Sequence, residues 1–320
     1  MMLNQFCRAA CCALFLASLS GCEILVAGID AFINTSGEPA DSPATESSRA
    51  PGASNGESPA TTGQASTFSV FSWNINSGVH DEPEAELAEI IRLLETQPGV
   101  QIYALSEVHP TWLRPLTDAA DRINGTQFDA TMSETGNRQR LMLLVDTARF
   151  RPLEVQELHR VNPSARGRSP LGALLEDRET GEQLFVVVVH LRRGDDAARM
   201  QEAAILNGLV SELQTPALLT GDFNFDCPAD VESDEGCNEG YGALTAGQRV
   251  QWHRHDTRQA THCSRTRYNS VLDFVFTSDA SSSWDVEVQQ PRRGDFCSWE
   301  MGRGSHAPLR AELRVTGAQE

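Results

Sequence analysis

The sequence predicts one α/β domain over residues 67–316, preceded by an N-terminal export signal and a tether. Short runs rich in β-branched and aromatic residues alternate with helical patterns in this region, and they show no internal repeat. The four consecutive valines at 186–189 indicate a strand that is buried on both faces of a sheet. Hydrophobic residues make up 40% of the 320 residues, which is enough to form a substantial core.

The individual elements follow from local patterns. Residues 67–73 form the first predicted strand, and a helix is predicted from Pro83 because apolar residues recur at spacings of three and four up to Leu94. The Gln-Pro-Gly sequence at 97–99 ends that helix. Further strands are predicted at residues 102–106, 141–145, 184–189, 217–220 and 271–276, and a second helix at 203–213.

Residues 1–21 have the features of a bacterial export signal. Arg8 supplies a positive charge, and the apolar run at 9–19 is too short to span a bilayer as a mature helix. The run ends in Leu-Ser-Gly-Cys at 19–22, which resembles the lipobox of bacterial lipoproteins. This resemblance implies that Cys22 is acylated and anchors an exported protein to the cell envelope, at the outer membrane. An ordinary signal peptide with an incidental cysteine is the alternative.

Residues 22–66 are predicted to be a flexible acidic tether. They are rich in Ser, Thr, Gly, Pro and Ala, and they carry six acidic residues and one arginine. Beyond Phe32 this stretch has almost no large apolar residue, so it cannot form a core of its own.

Four cysteines remain after Cys22, and an even number in an exported chain predicts two disulfides. The pairing Cys227–Cys237 with Cys263–Cys297 is favoured because the first pair brackets one acidic loop. A zinc site built from these thiols is the competing interpretation, although their spacings match no Cys-x-x-Cys pattern.

Polar residues fall at or just after the predicted strands. Side chains in these positions are expected to converge at one edge of the sheets. Carboxylate and amide oxygens are the ligands that Mg²⁺, Mn²⁺ and Ca²⁺ prefer, and histidines transfer protons near neutral pH. The residues concerned are Asn74, Glu107, His190, Asp222, Asn224, Asp273 and His306.

Six short segments occur in the order seen in the endonuclease/exonuclease/phosphatase superfamily, which the chain therefore resembles. They are Ser-Trp-Asn-Ile at 72–75, Leu-Ser-Glu-Val at 105–108, Val-His-Leu-Arg-Arg-Gly at 189–194, Gly-Asp-Phe-Asn at 221–224, Leu-Asp-Phe-Val-Phe at 272–276 and Ser-His-Ala-Pro at 305–308. The resemblance covers nearly all of residues 67–316. It implies a four-layered α/β sandwich, in which two packed mixed β-sheets are flanked by helices and carry the site at one edge.

The resemblance also implies metal-dependent cleavage of phosphoester bonds. Glu107 would be the main ligand of a Mg²⁺ ion, or of Mn²⁺ or Ca²⁺, with Asn74 beside it. Asp222 would orient or deprotonate the attacking water, and Asn224 would hold the phosphate.

Three further residues receive roles by the same resemblance. His306 would contact the phosphate or transfer a proton, with Asp273 orienting it, and His190 would stabilise the developing charge or aid the departure of the leaving oxygen. Two positions depart from the family pattern: Ser305 stands where the family often has a metal-binding aspartate, and Val189 where it often has an asparagine. Both departures affect the expected efficiency more than the expected reaction.

The charge balance restricts the substrate without choosing it. The chain has a formal net charge of −18, and all 26 of its basic residues are arginine. Residues 67–320 carry 38 acidic and 24 basic residues, so binding to DNA or RNA requires a local arginine groove. Any cationic side chain that grips a phosphate here is an arginine, which can do so through two hydrogen bonds.

The leading hypothesis is a monomeric phosphodiesterase or nuclease that acts on a phosphoester substrate such as DNA or RNA. A lipid phosphodiesterase or a small-molecule phosphatase is the alternative. A lipid substrate requires an exposed apolar loop near the site, for which Phe223, Phe225 and Trp299 are the candidates. A catalytically weak binding lipoprotein on the same scaffold is the alternative from another class, and Ser305 is the feature that favours it.

Overall fold

The computed structural model describes residues 66–76, 83–164, 166–229, 235–255, 259–263, 269–291 and 306–315. The export signal, Cys22, the tether up to residue 65, Cys297, Trp299 and Ser305 lie outside the described residues. All of the described residues belong to one compact unit, Glu57–Glu320. The predicted limits of the domain, 67 and 316, stay predictions.

The described residues contain thirteen β-strands. They are β1 (Ser66–Asn74), β2 (Ile102–Val108), β3 (Phe128–Met132), β4 (Arg140–Asp146), β5 (Phe150–Glu157), β6 (Leu171–Asp177), β7 (Gln183–His190), β8 (Ala217–Cys227), β9 (Val250–Trp252), β10 (His262–Cys263), β11 (Asn269–Ser278), β12 (Trp284–Gln289) and β13 (Leu309–Val315). One sheet has the order β12-β13-β1-β2-β4-β3, and the other has β10-β11-β8-β7-β6-β5 with β9 paired to β11.

Four α-helices accompany these strands: α1 (Pro83–Leu94), α2 (Leu113–Asn124), α3 (Asp196–Glu212) and α4 (Glu239–Thr245). Helix α2 ends at Gly125 in the left-handed conformation, and Asp195 caps α3 by accepting a hydrogen bond from the Ala198 amide. Helix α3 begins seven residues before the predicted start at 203. None of the described helices combines the length and apolarity that a membrane span requires.

The main core lies between the two sheets. It contains Phe68, Ile102 and Leu143 from the first sheet and Val186 and Leu218 from the second, all at most 2% exposed. The intervening residues of the first sheet point away from the second sheet, because successive side chains of a β-strand lie on opposite faces.

A second core packs the outer face of the first sheet against two helices. Tyr103 of β2 shares this core with Ile90 and Leu94 of α1 and with Leu116 and Ala120 of α2. Both helices therefore cover the first sheet.

Aromatic rings cover the outer face of the second sheet. Phe223 and Phe225 of β8 contact Phe274 and Phe276 of β11, and Tyr241 of α4 packs against three of these four rings. The two sheets and their flanking helices form the predicted four-layered sandwich, which is confirmed. The valine run at 186–189 is fully buried in β7, as predicted.

Each sheet has one parallel strand pair near its middle. Strand β1 runs parallel to β2 with Asn74 opposite Ser106, and β7 runs parallel to β8 with His190 opposite Asp222. All other described strand pairs named in the two sheets are antiparallel, so both sheets are mixed. Parallel strands end at the same edge of a sheet, so these two pairs bring their terminal side chains together.

One predicted disulfide is present, between Cys227 and Cys237, with Cα atoms 4.0 Å apart. Cys263 is also disulfide-bonded, and its partner lies outside the described residues. The pairing of Cys263 with Cys297 stays a prediction. Zinc bound by all four thiols is excluded because Cys227, Cys237 and Cys263 are already oxidised.

Gly221 permits the close approach of β8 to β7. Its φ is +136°, and a β-carbon at this position would overlap the backbone carbonyl oxygen of Val189. We expect Gly221→Ala to lower the free energy of unfolding by about 1–3 kcal/mol, the usual cost of overpacking a core, because the backbone must shift to make room. Urea denaturation followed by circular dichroism measures this change.

Gly208→Ala is the matched control for that experiment. Gly208 lies within helix α3, and a β-carbon there would meet nothing within 4 Å. Alanine is favoured over glycine in a helix by about 1 kcal/mol, so this variant should be slightly more stable than the wild type. Equal stability of Gly221→Ala and the wild type would contradict the role assigned to Gly221.

Candidate active site

The structure brings six of the predicted polar residues together at the edge where the two parallel strand pairs end. Four lie on these strands, while the other two come from β11 and from the segment just before β13. They are Asn74, Glu107, His190, Asp222, Asp273 and His306. All except Glu107 are at most 5% exposed, so their charges are held away from bulk water.

Glu107 stands at the opening of this site, where its side chain is 14% exposed. It has a φ of +58°, and the register between β2 and β4 shifts between Leu105 and Val108. A bulge of this kind redirects a side chain, and the left-handed conformation is unusual for glutamate. Such backbone strain is often found at functional sites, where the surrounding structure holds it in place.

The Glu107 carboxylate accepts one short hydrogen bond and has two longer contacts. Oε2 accepts a hydrogen bond of 2.7 Å from Nε2 of Gln139. Oε1 lies 3.6 Å from Nη2 of Arg168 and 3.7 Å from Nε2 of His190. One carboxylate oxygen therefore has only long contacts among the described residues and is free to bind another group.

Asp222 is the central carboxylate of the site. Its Oδ2 accepts a 2.9 Å hydrogen bond from Nδ2 of Asn74, and it lies 3.6 Å from Nε2 of His190 and 3.7 Å from Nε2 of His306. Burial raises the pKa of Asp222 well above its usual 3.8 and outweighs the lowering effects of His306 and Asn74. A carboxylate with a raised pKa is better able to accept a proton near neutral pH.

His306 and Asp273 form a buried ion pair. Nδ1 of His306 lies 2.8 Å from Oδ2 of Asp273, and the backbone carbonyl of His306 accepts a hydrogen bond from Nε1 of Trp73. Burial alone would lower the pKa of His306, but the carboxylates of Asp273 and Asp222 raise it to about 9. His306 is therefore positively charged at neutral pH, with Nε2 directed towards Asp222 and Asn74.

His190 is the opposite case. Burial, followed by the positive charge of Arg168, holds the pKa of His190 well below its usual value, so the ring is neutral at neutral pH. Its Nε2 lies 3.4 Å from Nη1 of Arg168. Because the His190 ring is neutral, the positive charge next to it is carried by Arg168.

Asn224 lies at the same edge but is held by the backbone. Its Nδ2 donates to the carbonyl of Leu191, and its backbone amide donates to Oδ1 of Asp222. Strand β8 continues through Asp222 and Asn224 to Cys227, whereas the sequence placed both residues after the strand. The predicted contact of Asn224 with a phosphate stays a prediction, while the structure shows that Asn224 ties the end of β7 to β8.

Arg168 and Gln139 are two site residues that were not predicted from the sequence. Arg168 donates from Nε to the carbonyl of Gln139 and from Nη2 to Oε1 of Gln139, and the two side chains meet at Glu107. Gln139 lies in the loop before β4 and Arg168 in the loop before β6, whereas the predicted site residues lie at or just after strands. An arginine in a loop has no local signal that separates it from a solvated one.

Thr261 and His262 also lie beside the site and were not predicted to belong to it. Oγ1 of Thr261 accepts hydrogen bonds from the amides of Leu272 and Asp273, and its carbonyl accepts one from the amide of Ala307. The ring of His262 packs against that of His306 with centroids 4.8 Å apart. These contacts fix the relative position of Asp273 and His306.

The chemistry of the donors fits a hard divalent cation. Three carboxylates, Glu107, Asp222 and Asp273, lie close together, and Oδ1 of Asp273 is buried without a hydrogen-bond partner among the described residues. One atom from each of Asp222, Asp273 and His306 lies within 4.8 Å of the others. A protonated His306 is a poor ligand, however, so the carboxylates are the better candidates.

Comparison with known proteins identifies the family. The sequence profile of the endonuclease/exonuclease/phosphatase family matches residues 71–305. The chain belongs to this family. Its members are hydrolytic phosphoesterases, among them nucleases and phosphatases. No curated protein matches the sequence.

Solved structures of family members have the same fold. A family protein from Bacteroides thetaiotaomicron is 17% identical, with a TM-score of 0.58 over 79% of this chain and 99% of its own. A mannosyl-6-phosphatase from the same organism is 16% identical, with a TM-score of 0.56 over 77% and 99% of the two chains. TDP2 of D. rerio, complexed with a single-strand DNA product, is 13% identical, with a TM-score of 0.58 over 78% and 99%. At these identities the likeness establishes the fold alone.

Proposed function

We propose that this member of the endonuclease/exonuclease/phosphatase family is a divalent-metal-dependent phosphodiesterase of the nuclease type. The observation that carries the proposal is the arrangement around Asp222. A buried carboxylate with a raised pKa lies between a neutral histidine, His190, and a positively charged one, His306. A base and a fixed cation beside one another are what attack of water on a phosphodiester requires.

Four residues bind the metal and the phosphate and activate the attacking water in the proposed reaction. Glu107, with Asn74 beside it, would hold Mg²⁺, or Mn²⁺ or Ca²⁺, because its Oε1 is the carboxylate oxygen with the fewest close partners at the opening. The ion neutralises negative charge on the phosphate when bound. Asp222 takes a proton from the attacking water. The water oxygen then bonds to phosphorus, and the ester P–O bond breaks as the leaving oxygen departs with the bonding electrons. Asn224 helps to hold the phosphate.

Positive groups stabilise the charge that develops on the phosphate. His306 donates a hydrogen bond from Nε2 to a phosphate oxygen, and Asp273 keeps the ring protonated and oriented. Arg168 and the neutral His190, whose Nε2 lies 3.6 Å from Oδ2 of Asp222, would stabilise the leaving oxygen. In this arrangement the positive charge beside the leaving oxygen is that of Arg168, because His190 is neutral.

The pH profile of Asp273→Asn tests the role of His306. His306 is protonated below its pKa, so activity that needs the cation is lost as the pH rises through that pKa. Asparagine keeps a hydrogen-bond acceptor but removes the main charge that raises the pKa of His306. We expect the alkaline limb of the kcat/KM profile to move to lower pH. An alkaline limb at the wild-type position would contradict the assignment of that limb to His306.

A nucleic-acid substrate is favoured over a lipid. Phe223 and Phe225, two of the three candidates for an exposed apolar loop, are fully buried in the aromatic cluster of the second sheet and are not available to contact a lipid. Trp299 lies outside the described residues. The structurally similar TDP2 was crystallised with a DNA product, whereas another similar protein is a sugar phosphatase, so small phosphomonoesters are the second candidate.

A substrate panel separates these candidates. The purified mature chain is incubated with single-stranded DNA, duplex DNA, RNA, sphingomyelin and mannose 6-phosphate, each with Mg²⁺, Mn²⁺ or Ca²⁺ and with an EDTA control. We expect metal-dependent cleavage of at least one nucleic acid and little release of phosphate from the monoester. Efficient hydrolysis of sphingomyelin or mannose 6-phosphate alone would replace the nuclease assignment.

We propose that the enzyme acts in the cell envelope or outside the cell, attached through an acylated Cys22. The lipobox-like sequence at 19–22 supports this, and the oxidised cysteines are typical of an exported protein. Mass spectrometry of the membrane fraction should find a lipid-modified Cys22 at the mature N-terminus. Recovery of an unmodified chain in the soluble fraction would contradict the anchor.

A further inference from the structure

Three loops beside the active site join into one surface. They span residues 133–140, 157–170 and 190–195, apart from position 165, which lies outside the described residues. The amide of Ser169 donates to Oγ1 of Thr135, and Nη2 of Arg192 donates to Oγ of Ser164 at 2.8 Å. Through Arg168 and His190, this surface reaches the active site.

Exposed arginines on these loops lack carboxylate partners. We call Arg138, Arg160, Arg166 and Arg193 the arginine flank. All four are exposed, and none has an ion pair with a described residue. Elsewhere in the described part of the chain, exposed arginines commonly have such partners, as Arg122 has Glu95 and Arg249 has Asp279.

The local charge is opposite to that of the protein. The described residues of the three loops up to position 194 include seven arginines and two carboxylates, those of Glu134 and Glu157. Two of these arginines also lie near carboxylates outside the loops, Arg168 near Glu107 and Arg192 near Glu202. The carboxylate of Glu157 is engaged by Thr135. Asp195 and Asp196 follow, but Asp195 caps α3 and Asp196 pairs with Arg199. The chain has a net charge of −18 and repels a polyanion over most of its surface. A local positive patch therefore attracts the polyanion to this place.

We propose that the arginine flank binds backbone phosphates of a nucleic-acid strand next to the phosphodiester that is cleaved. This inference rests on the proposed nuclease function and extends it to a second set of phosphate contacts outside the active site. Arginine is suited to this task because its guanidinium group can bind a phosphate through two hydrogen bonds. The arginine flank also supplies the local positive charge that a nuclease of negative net charge needs to bind its substrate.

A membrane surface is the less favourable occupant. A surface that enters a lipid interface combines positive charge with exposed apolar side chains. Among the described residues, the exposed large hydrophobic side chains are Leu153 and Met200, and neither lies on the three loops. The flank therefore offers charge without an apolar group that could insert.

The test compares two fourfold variants of the full mature chain. The first replaces Arg138, Arg160, Arg166 and Arg193 with alanine. The second, a control with the same change in net charge, replaces the exposed residues Arg92, Arg151, Arg178 and Arg314, which lie on helix α1 or near the strand ends opposite the active site. Each is assayed on bis-p-nitrophenyl phosphate, which has one phosphate, and on a short single-stranded oligonucleotide.

We expect the first variant to hydrolyse bis-p-nitrophenyl phosphate at the wild-type rate but to show a raised KM for the oligonucleotide. Each lost phosphate contact should reduce the slope of log(kcat/KM) against log salt by about 0.7, as counterion release from a single strand predicts. The control should behave as the wild type on both substrates. The same KM and salt slope in both variants would overturn the proposal while leaving the catalytic assignment intact.

A binding measurement keeps the two proposals separate. Fluorescence anisotropy of a labelled phosphorothioate oligonucleotide in EDTA reports affinity without turnover. Weaker binding by the first variant alone supports the flank, even if the wild type cleaves neither substrate and the nuclease assignment fails. Unchanged oligonucleotide binding, together with a loss of binding to phosphatidylserine vesicles, would assign the flank to a membrane and overturn the proposal.

Discussion

Replacing Asp222 with asparagine is expected to reduce kcat for phosphodiester hydrolysis by about 10²–10⁴-fold, the usual contribution of a positioned acid or base. Asparagine has nearly the same shape, and its carbonyl oxygen can still accept the hydrogen bond from Asn74. It cannot accept a proton from water. Steady-state kinetics on bis-p-nitrophenyl phosphate at saturating metal measure the loss.

The interpretation of this variant requires that its fold is intact. Asp222 is buried between two histidines, so a change in its charge also alters their ionisation. The stability of Asp222→Asn in urea and its affinity for the oligonucleotide in EDTA should therefore be measured beside the kinetics. A stable variant with near wild-type kcat would show that Asp222 is not the base.

Glu107→Gln should abolish metal-dependent turnover. Glutamine can keep an oxygen in place to accept the hydrogen bond from Gln139, so the bulge in β2 is expected to survive. The loss of the negative charge removes the main anchor for a divalent cation. A charge-assisted contact contributes roughly 1.5–3 kcal/mol, so at least about tenfold more metal should be needed for half-maximal activity, if activity is detected at all.

Glu134→Gln provides the control for that charge change. Glu134 is an exposed carboxylate on the neighbouring loop, and only its backbone amide takes part in a described hydrogen bond. Its metal dependence should match that of the wild type. If Glu107→Gln and Glu134→Gln need the same metal concentration, Glu107 is not the metal ligand.

Much of the candidate site could be predicted because strand ends are recognisable in sequence. Asn74 and His190 end strands β1 and β7, and the parallel pairing of each with its neighbour places them beside Glu107 and Asp222. The pairing of Asp273 with His306 was implied by the family resemblance, and it also has a physical reason, since a carboxylate within an apolar strand needs a partner.

Other parts depend on contacts that no local pattern encodes. Arg168 reaches the site through the packing of its loop on Gln139, and His262 reaches it through a short strand that pairs with β11. Helix α2 was not predicted, although its buried residues Leu116, Ala119 and Ala120 recur at helical spacings of three and four. Strand β12 did carry a local pattern, because Trp-Asp-Val-Glu-Val-Gln at 284–289 alternates strictly between apolar and polar residues, as a half-buried strand does.

Hydrolysis of bis-p-nitrophenyl phosphate by the mature protein, with and without EDTA, tests the central claim most directly. If the edge formed by Glu107, Asp222 and His306 is a metal-dependent phosphodiesterase site, p-nitrophenol should be released with added Mg²⁺, Mn²⁺ or Ca²⁺. The release should stop in EDTA and return when metal is restored. A folded protein that releases no p-nitrophenol with any of these ions, or that works equally well in EDTA, would contradict the account.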